Sequence, residues 1–214
     1  MKLTLYFAPM TCALVPFVTL TEAGAQFDVQ AINTRSGQNR TPEFLRLNPK
    51  HKVPVLVIDG EPLTENVALQ IWIHRRFPGA KLLPADPKEE IRAISLMAFC
   101  ASGIHPHLTP NARPQNYCDL PNSEESVKRV ANQLLFEDLK VVDDLLAGRE
   151  WFFPHFTACD AYFFWCFKRA LSFKLDLAQF RHCMAHFERM NLRPSVQKVL
   201  AHEKQVQDEF ARAA

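Results

Sequence analysis

Apolar positions follow two different rhythms along this chain, and the rhythm changes near residue 80. In the first part, short strand-like runs alternate with helical ones. Leu3 to Phe7 is an apolar run closed by Pro9, the length of a buried strand. After Cys12, the residues Leu14, Phe17, Val18 and Thr21 recur at helical spacing, with Pro16 near the first turn and Gly24 at the end. Phe27, Val29 and Ala31 alternate with Asp28 and Gln30 and predict a second strand. Thr41-Pro42-Glu43 reads as a cap, a first-position proline and a first-turn acid, opening a helix that stops before Asn48-Pro49. Val55 to Ile58 predicts a third strand, Asp59-Gly60 a hairpin, and Pro62 to Thr64 a fourth strand. Glu65-Asn66 then opens a helix carrying Ala68, Leu69, Trp72 and Phe77, ended by Pro78-Gly79. The order βαβαββα implies a mixed sheet with helices on both faces.

Residues 81 to 87, "KLLPADP", read as a linker, and everything beyond reads helical. Asp86-Pro87-Lys88-Glu89 is a helix start, and Ile91, Ile94, Ala98, Ala101, Ser102 and His105 share one face of the first long helix. Four prolines between Pro106 and Pro121 predict a helix end and a loop. Asn122 and Glu125 read as a capping box ahead of an apolar face made of Val127, Val130, Leu134, Val141 and Leu145, with Gly148 as terminator. Thr157 and Asp160 form another box before "AYFFWCF", a helix apolar all round that its neighbours must bury. The expected organisation is an α/β domain over 1–80, a linker over 81–87 and an all-helical domain over 88–214.

Composition narrows the function classes. The 214 residues are 48% hydrophobic and 22% charged with net charge +2, so neither nucleic acid nor an anionic membrane has an electrostatic claim. No apolar run approaches the roughly 20 residues that span a bilayer. The stretch from Met1 to Ala25 could pass for a secretory signal, but Pro9 and Pro16 break its apolar centre and Glu22 adjoins the supposed cleavage site. The six cysteines at 12, 100, 118, 159, 166 and 183 form no CxxC pair and no zinc-ligand spacing. They are expected to be reduced thiols of a cytoplasmic protein without a metal.

Two places carry candidate chemistry. Cys12 falls where a strand gives way to a helix, facing unpaired N–H groups and the positive end of the dipole, which favour the thiolate. A cysteine there can equally pack as a small hydrophobe. Lys52-Val53-Pro54 precedes the third strand. A cis Val53-Pro54 bond would leave Val53's N–H and C=O open to an extended peptide, whereas an ordinary trans proline is the commoner case.

Taken together, "FAPMTCALVP", "NPKHKVPVL", "LTEN" and "FTACDAY" resemble, in that order and spacing, the cytosolic glutathione transferases, and the first is similar to the bacterial beta-class pattern. The resemblance covers nearly the whole chain and implies a thioredoxin-like first domain with a cis proline at Pro54. It implies that Val53 holds the cysteinyl backbone of glutathione, with Pro54 fixing that geometry. Glu65 would accept the γ-glutamyl ammonium and Asn66 would meet the neighbouring carboxylate. Lys52 and Arg35 are the nearest candidates for the glycine carboxylate. His105 matches the class histidine and Ser102 a nearby polar residue. Ala98, Pro106 and Asn66 depart from the class, which often has asparagine, lysine and serine or glycine there.

The implied activity is transfer of glutathione to a small hydrophobic electrophile, with glutathione as co-substrate, Cys12 and His105 as catalytic residues, and a homodimer as the assembly. Beside Cys12, the Thr11 hydroxyl is a further catalytic candidate that could donate to whichever sulfur is ionised, or else cap the helix. The helical domain would supply the apolar side of the cleft. Two alternatives stand beside it. Cys12 could act as a monothiol in glutathione-dependent disulfide exchange. The fold could also serve as a non-catalytic binding protein.

Overall fold

The computed structural model describes residues 1–213, which form two compact units. The first comprises Met1–Leu83 together with the segment from Asn191, and the second Pro84–Met190. In the first, β1 (Leu3–Phe7), α1 (Leu14–Glu22), β2 (Asp28–Ala31), α2 (Pro42–Leu47), β3 (Val55–Ile58), β4 (Glu61–Thr64) and α3 (Asn66–Arg76) follow the expected order. The sheet runs β2-β1-β3-β4, with β1 parallel to β2 and both other pairs antiparallel. The parallel pair requires a crossover, which α1 supplies. The antiparallel β3–β4 pair needs only a tight turn, and Asp59 (φ 49°) and Gly60 (φ 98°) provide the two left-handed positions that such hairpins use.

Leu3, Leu5 and Phe7 of β1 are buried on one face of the sheet. Tyr6 points to the other and meets Phe44 of α2 edge-on at 6.0 Å, beside Ile32 and Val55. Helices therefore cover both faces. Thr41 caps α2 through Phe44 N–H, with Pro42 in its first turn.

The second unit contains α4 (Pro87–Phe99), a π turn at Cys100–Ile104, α5 (His105–Ala112), α6 (Glu124–Leu146), α7 (Ala158–Ser172) and α8 (Arg181–Asn191). At its centre α7 is buried at every position from Ala158 to Phe167, and Thr157 and Asp160 close its capping box. Around it, three expectations are corrected. The chain does not leave the helix at Pro106 but continues to Ala112. The π turn opens the i→i−4 ladder just ahead of Pro106, where the missing N–H would otherwise break it. Gly103 lies within this turn, where an added Cβ would stand 2.8 Å from the Phe99 ring. The buried face of α4 and the π turn is Ala93, Met97, Cys100 and Ile104, while Ile91, Ala98 and Ser102 are exposed.

The third correction concerns α6, where Ala131, Leu135, Leu139, Val142 and Leu146 are buried, one residue beyond the expected stripe. Leu134-Leu135, Val141-Val142 and Leu145-Leu146 are apolar doublets, so two stripes about 100° apart satisfy the helical period and packing chooses between them. At its start, Asn122 adopts φ 62° and Ser123 occupies the cap position, so the Asn122–Glu125 box is not formed.

The last helix, α9 (Pro194–Arg212), was expected within the helical domain. Its contacts lie with α1 in the first unit. His202 packs on Phe7 and Phe17, with ring centroids 6.0 and 5.2 Å apart.

Candidate functional site

The site grows from the end of β1. Phe7 is the last strand residue, and Met10 adopts a left-handed φ of 64° that turns the chain toward α1. Thr11 Oγ1 donates to Ala8 C=O at 2.7 Å and accepts from Ala13 N–H at 3.3 Å. Its hydroxyl is thus committed to the turn, the capping role that competes with catalysis.

Cys12 follows, 9% exposed, its Sγ making a long, weak contact to Val53 C=O at 3.9 Å. Burial pushes the Cys12 thiol up to about 12 from an ordinary 9.0, while its backbone hydrogen bond, Asn66 and Lys52 pull it down and Glu65 raises it. Desolvation outweighs the helix terminus that had been expected to favour the thiolate. Cys12 is therefore a protonated thiol at neutral pH.

The Val53–Pro54 peptide is cis, as the resemblance implied. Asn48 Nδ2 donates to Lys52 C=O at 2.7 Å and braces the turn from below. Lys52 and Arg35 are exposed, Arg35 in a turn where its N–H donates to Asn33 Oδ1 at 3.1 Å. Glu65 is exposed at the start of α3 with a left-handed φ of 71°. Its carboxylate pairs with Lys50, whose ammonium also donates to Thr64 Oγ1 at 2.9 Å.

Asn66 is buried. Its Nδ2 donates to Cys12 C=O at 2.9 Å, and its Oδ1 accepts from Gln70 Nε2 at 3.2 Å. Gln70 Oε1 in turn accepts from Thr19 Oγ1 at 2.7 Å, so a buried polar chain ties α3 to α1 under Cys12. The departure from serine or glycine at Asn66 thus has a structural use.

The first unit brings together Cys12, Val53, Pro54, Glu65, Asn66 and Lys52. Thr11 lies beside them with its hydroxyl turned to Ala8. Two further residues were not found from the sequence. Lys50 lay inside the quoted "NPKHKVPVL" and was passed over for Lys52. Glu203, only 4% exposed on α9, accepts Met10 N–H at 2.7 Å across 193 residues, a separation that no local pattern encodes.

In the second unit, Ser102 Oγ donates back to Ala98 C=O at 2.9 Å in the π turn. His105 is half-buried, its ring set edge-on to Trp165 at 4.5 Å. A separate cleft of about 430 Å³ in this unit, lined by residues including Glu89, Arg149 and Trp151, contains none of the candidate residues. Among the described residues no group of three or more His, Cys, Asp or Glu could hold a metal, and no helix is long and apolar enough to cross a membrane.

A four-stranded mixed sheet with a cis proline opening β3, joined to an all-helical unit around a boxed helix buried from Ala158 to Phe167, defines a thioredoxin-like α/β unit of the glutathione transferase type. Residues 1–75 match the family described as glutathione S-transferase, N-terminal domain. Glutathione S-transferase GstA of Escherichia coli O157:H7 is 30% identical over 93% of this chain and 98% of its own. Among solved structures, a bacterial beta-class glutathione S-transferase of Sphingomonas chungbukensis superposes with a TM-score of 0.82 at 30% identity, covering 94% of this chain and 98% of that one. A sphingomonad glutathione S-transferase complexed with glutathione gives 0.83 at 28% identity over the same shares. The chain belongs to the glutathione S-transferase family.

Proposed function

We propose that this transferase joins glutathione to a small hydrophobic electrophile, using the first unit to hold glutathione at Val53, Glu65 and Asn66. The observation that carries the reading is the meeting of Cys12 Sγ with Val53 C=O, 41 residues apart in sequence. A backbone that an extended peptide pairs with lies beside a thiol at a helix start. Because Cys12 stays protonated, it acts as an S–H donor to the bound glutathione thiolate. The glutathione sulfur loses its proton to solvent, attacks the electrophile and displaces the leaving group, while Cys12 remains unmodified. His105 and Ser102 act in the same reaction as polar contacts. Lys52 and Arg35 supply positive charge for the glycine carboxylate.

The test is glutathione affinity and turnover across chloro-aromatic, disulfide and peroxide substrates. Conjugation of a chloro-aromatic with no glutathione mass added to Cys12 supports the reading. A mixed disulfide on Cys12 as the turnover species would replace it with thiol-disulfide exchange. No binding and no turnover would leave only a binding protein on the fold.

The protein works in the cytoplasm, where its six free cysteines stay reduced. It assembles as a homodimer through the second stripe of α6, where Val130, Leu134, Val141 and Leu145 are each 40–50% exposed on one face. A monomeric mass by light scattering at micromolar concentration would contradict the assembly.

A further inference from the structure

We propose that Glu203 is a positioning residue that holds the turn carrying Thr11 and Cys12 in its working shape. The proposal rests on reading Cys12 as part of the glutathione site. Helix α9 grips α1 at both ends. At one end Arg193 donates twice to Glu22, at 3.0 and 2.9 Å, and Ser195 also bonds to that carboxylate. At the other end Glu203 Oε1 accepts Met10 N–H at 2.7 Å. Ser195 and Glu203 are eight residues apart, about 12 Å along a helix, as are Leu14 and Glu22 of α1. One grip therefore falls on the last residue of α1 and the other on the turn that leads into it.

The carboxylate stands in an otherwise apolar stripe of Val196, Val199 and Val206, all buried. An aliphatic residue would fill that place without desolvating a charge, so packing alone does not account for glutamate there. One thing the carboxylate does is fix a backbone donor. Met10 holds a left-handed φ of 64°, a region that side-chain-bearing residues seldom enter unless the surroundings hold them there. Its N–H is pinned two residues before Cys12. The chain then enters the turn in which Thr11 C=O accepts Leu14 N–H and Cys12 C=O accepts Val15 N–H, at 3.2 and 3.1 Å. Losing the carboxylate removes this hold on the corner of the turn and loosens the placement of Cys12 Sγ against Val53.

The test compares the wild-type protein with Glu203→Gln, which keeps an acceptor oxygen, and Glu203→Leu, which does not. Amide hydrogen exchange is read on a peptide spanning Ala8 to Ala13, and kcat and KM for glutathione on the folded enzymes. The leucine variant is expected to exchange about tenfold faster, as loss of one charge-assisted hydrogen bond implies, with KM for glutathione raised by a similar factor. The glutamine variant stays within about twofold of wild type on both. Wild-type exchange and KM in the leucine variant overturn the proposal. So does a glutamine variant as impaired as the leucine one. Should Glu203→Leu fail to fold, unbranched Glu203→Met takes its place with the same expectations. If the wild-type protein itself neither binds nor turns over glutathione, the transferase reading falls, while the exchange contrast alone still decides the role of Glu203.

Discussion

Replacing Asn66 by alanine tests whether the buried polar chain beneath Cys12 supports the site. The substitution removes the 2.9 Å bond to Cys12 C=O and the 3.2 Å bond from Gln70 Nε2. The Cys12 carbonyl keeps Val15 N–H at 3.1 Å, so its loss is limited to about 1 kcal/mol. Gln70 is fully buried and is left with a donor and no acceptor, which costs a further 1–3 kcal/mol, roughly, as an unmade bond. The sum is about 3 kcal/mol, which for a chain of this size lowers Tm by about 6–12 °C. Calorimetry gives Tm, and steady-state kinetics on the folded variant give KM for glutathione, which should rise because both Cys12 and the start of α3 lose a fixed neighbour. A variant within about 0.5 kcal/mol of wild type and with unchanged KM would refute the reasoning.

Asp160→Ala is expected to cost more, about 4 kcal/mol or above, because the buried carboxylate serves Thr157 N–H, Thr157 Oγ1, Phe152 N–H and His186 Nε2 together. A circular-dichroism melt near wild type would contradict it. Burial raises the Cys12 thiol above its unfolded value, so its contribution to stability is complete below pH 9.0 and declines as pH rises toward about 12, by up to about 1.4 kcal/mol per unit. Denaturant titrations at rising pH should show that decline reduced in Cys12→Ala, and identical slopes would contradict it. Lys50→Met removes the ammonium that pairs with Glu65 and should lower KM for glutathione by about threefold at low salt, with the gain fading at high salt. A raised KM would mean that Lys50 itself holds glutathione.

What could be read from the sequence was local. Thr41-Pro42, Asp86-Pro87 and Thr157 with Asp160 announce helix starts through atoms within four residues, and all three form as expected. Asp59-Gly60 announces a hairpin for the same reason. The doublets of α6 carry both apolar stripes, and only packing against neighbours decides which is buried. Pro106 reads as a stop because nothing local announces the π turn before it. In the site, Cys12 and Pro54 were legible as a thiol and a turn. The desolvation that raises the thiol depends on Val53 and α3 closing over it, and Glu203 reaches Met10 only through the packing of α9. Lys50 was hidden by its neighbour, since two lysines in one loop differ only in where the backbone aims them.

The central claim is that glutathione is held by the first unit at Val53, Glu65 and Asn66 beside a protonated Cys12. The most direct measurement is a titration of ¹⁵N-labelled protein with reduced glutathione, followed by amide chemical shifts. The account predicts saturable shifts centred on Cys12, Val53, Glu65 and Asn66 at up to about millimolar glutathione, with the Cys12 mass unchanged. Shifts confined to other residues, or none at about ten millimolar, would contradict it.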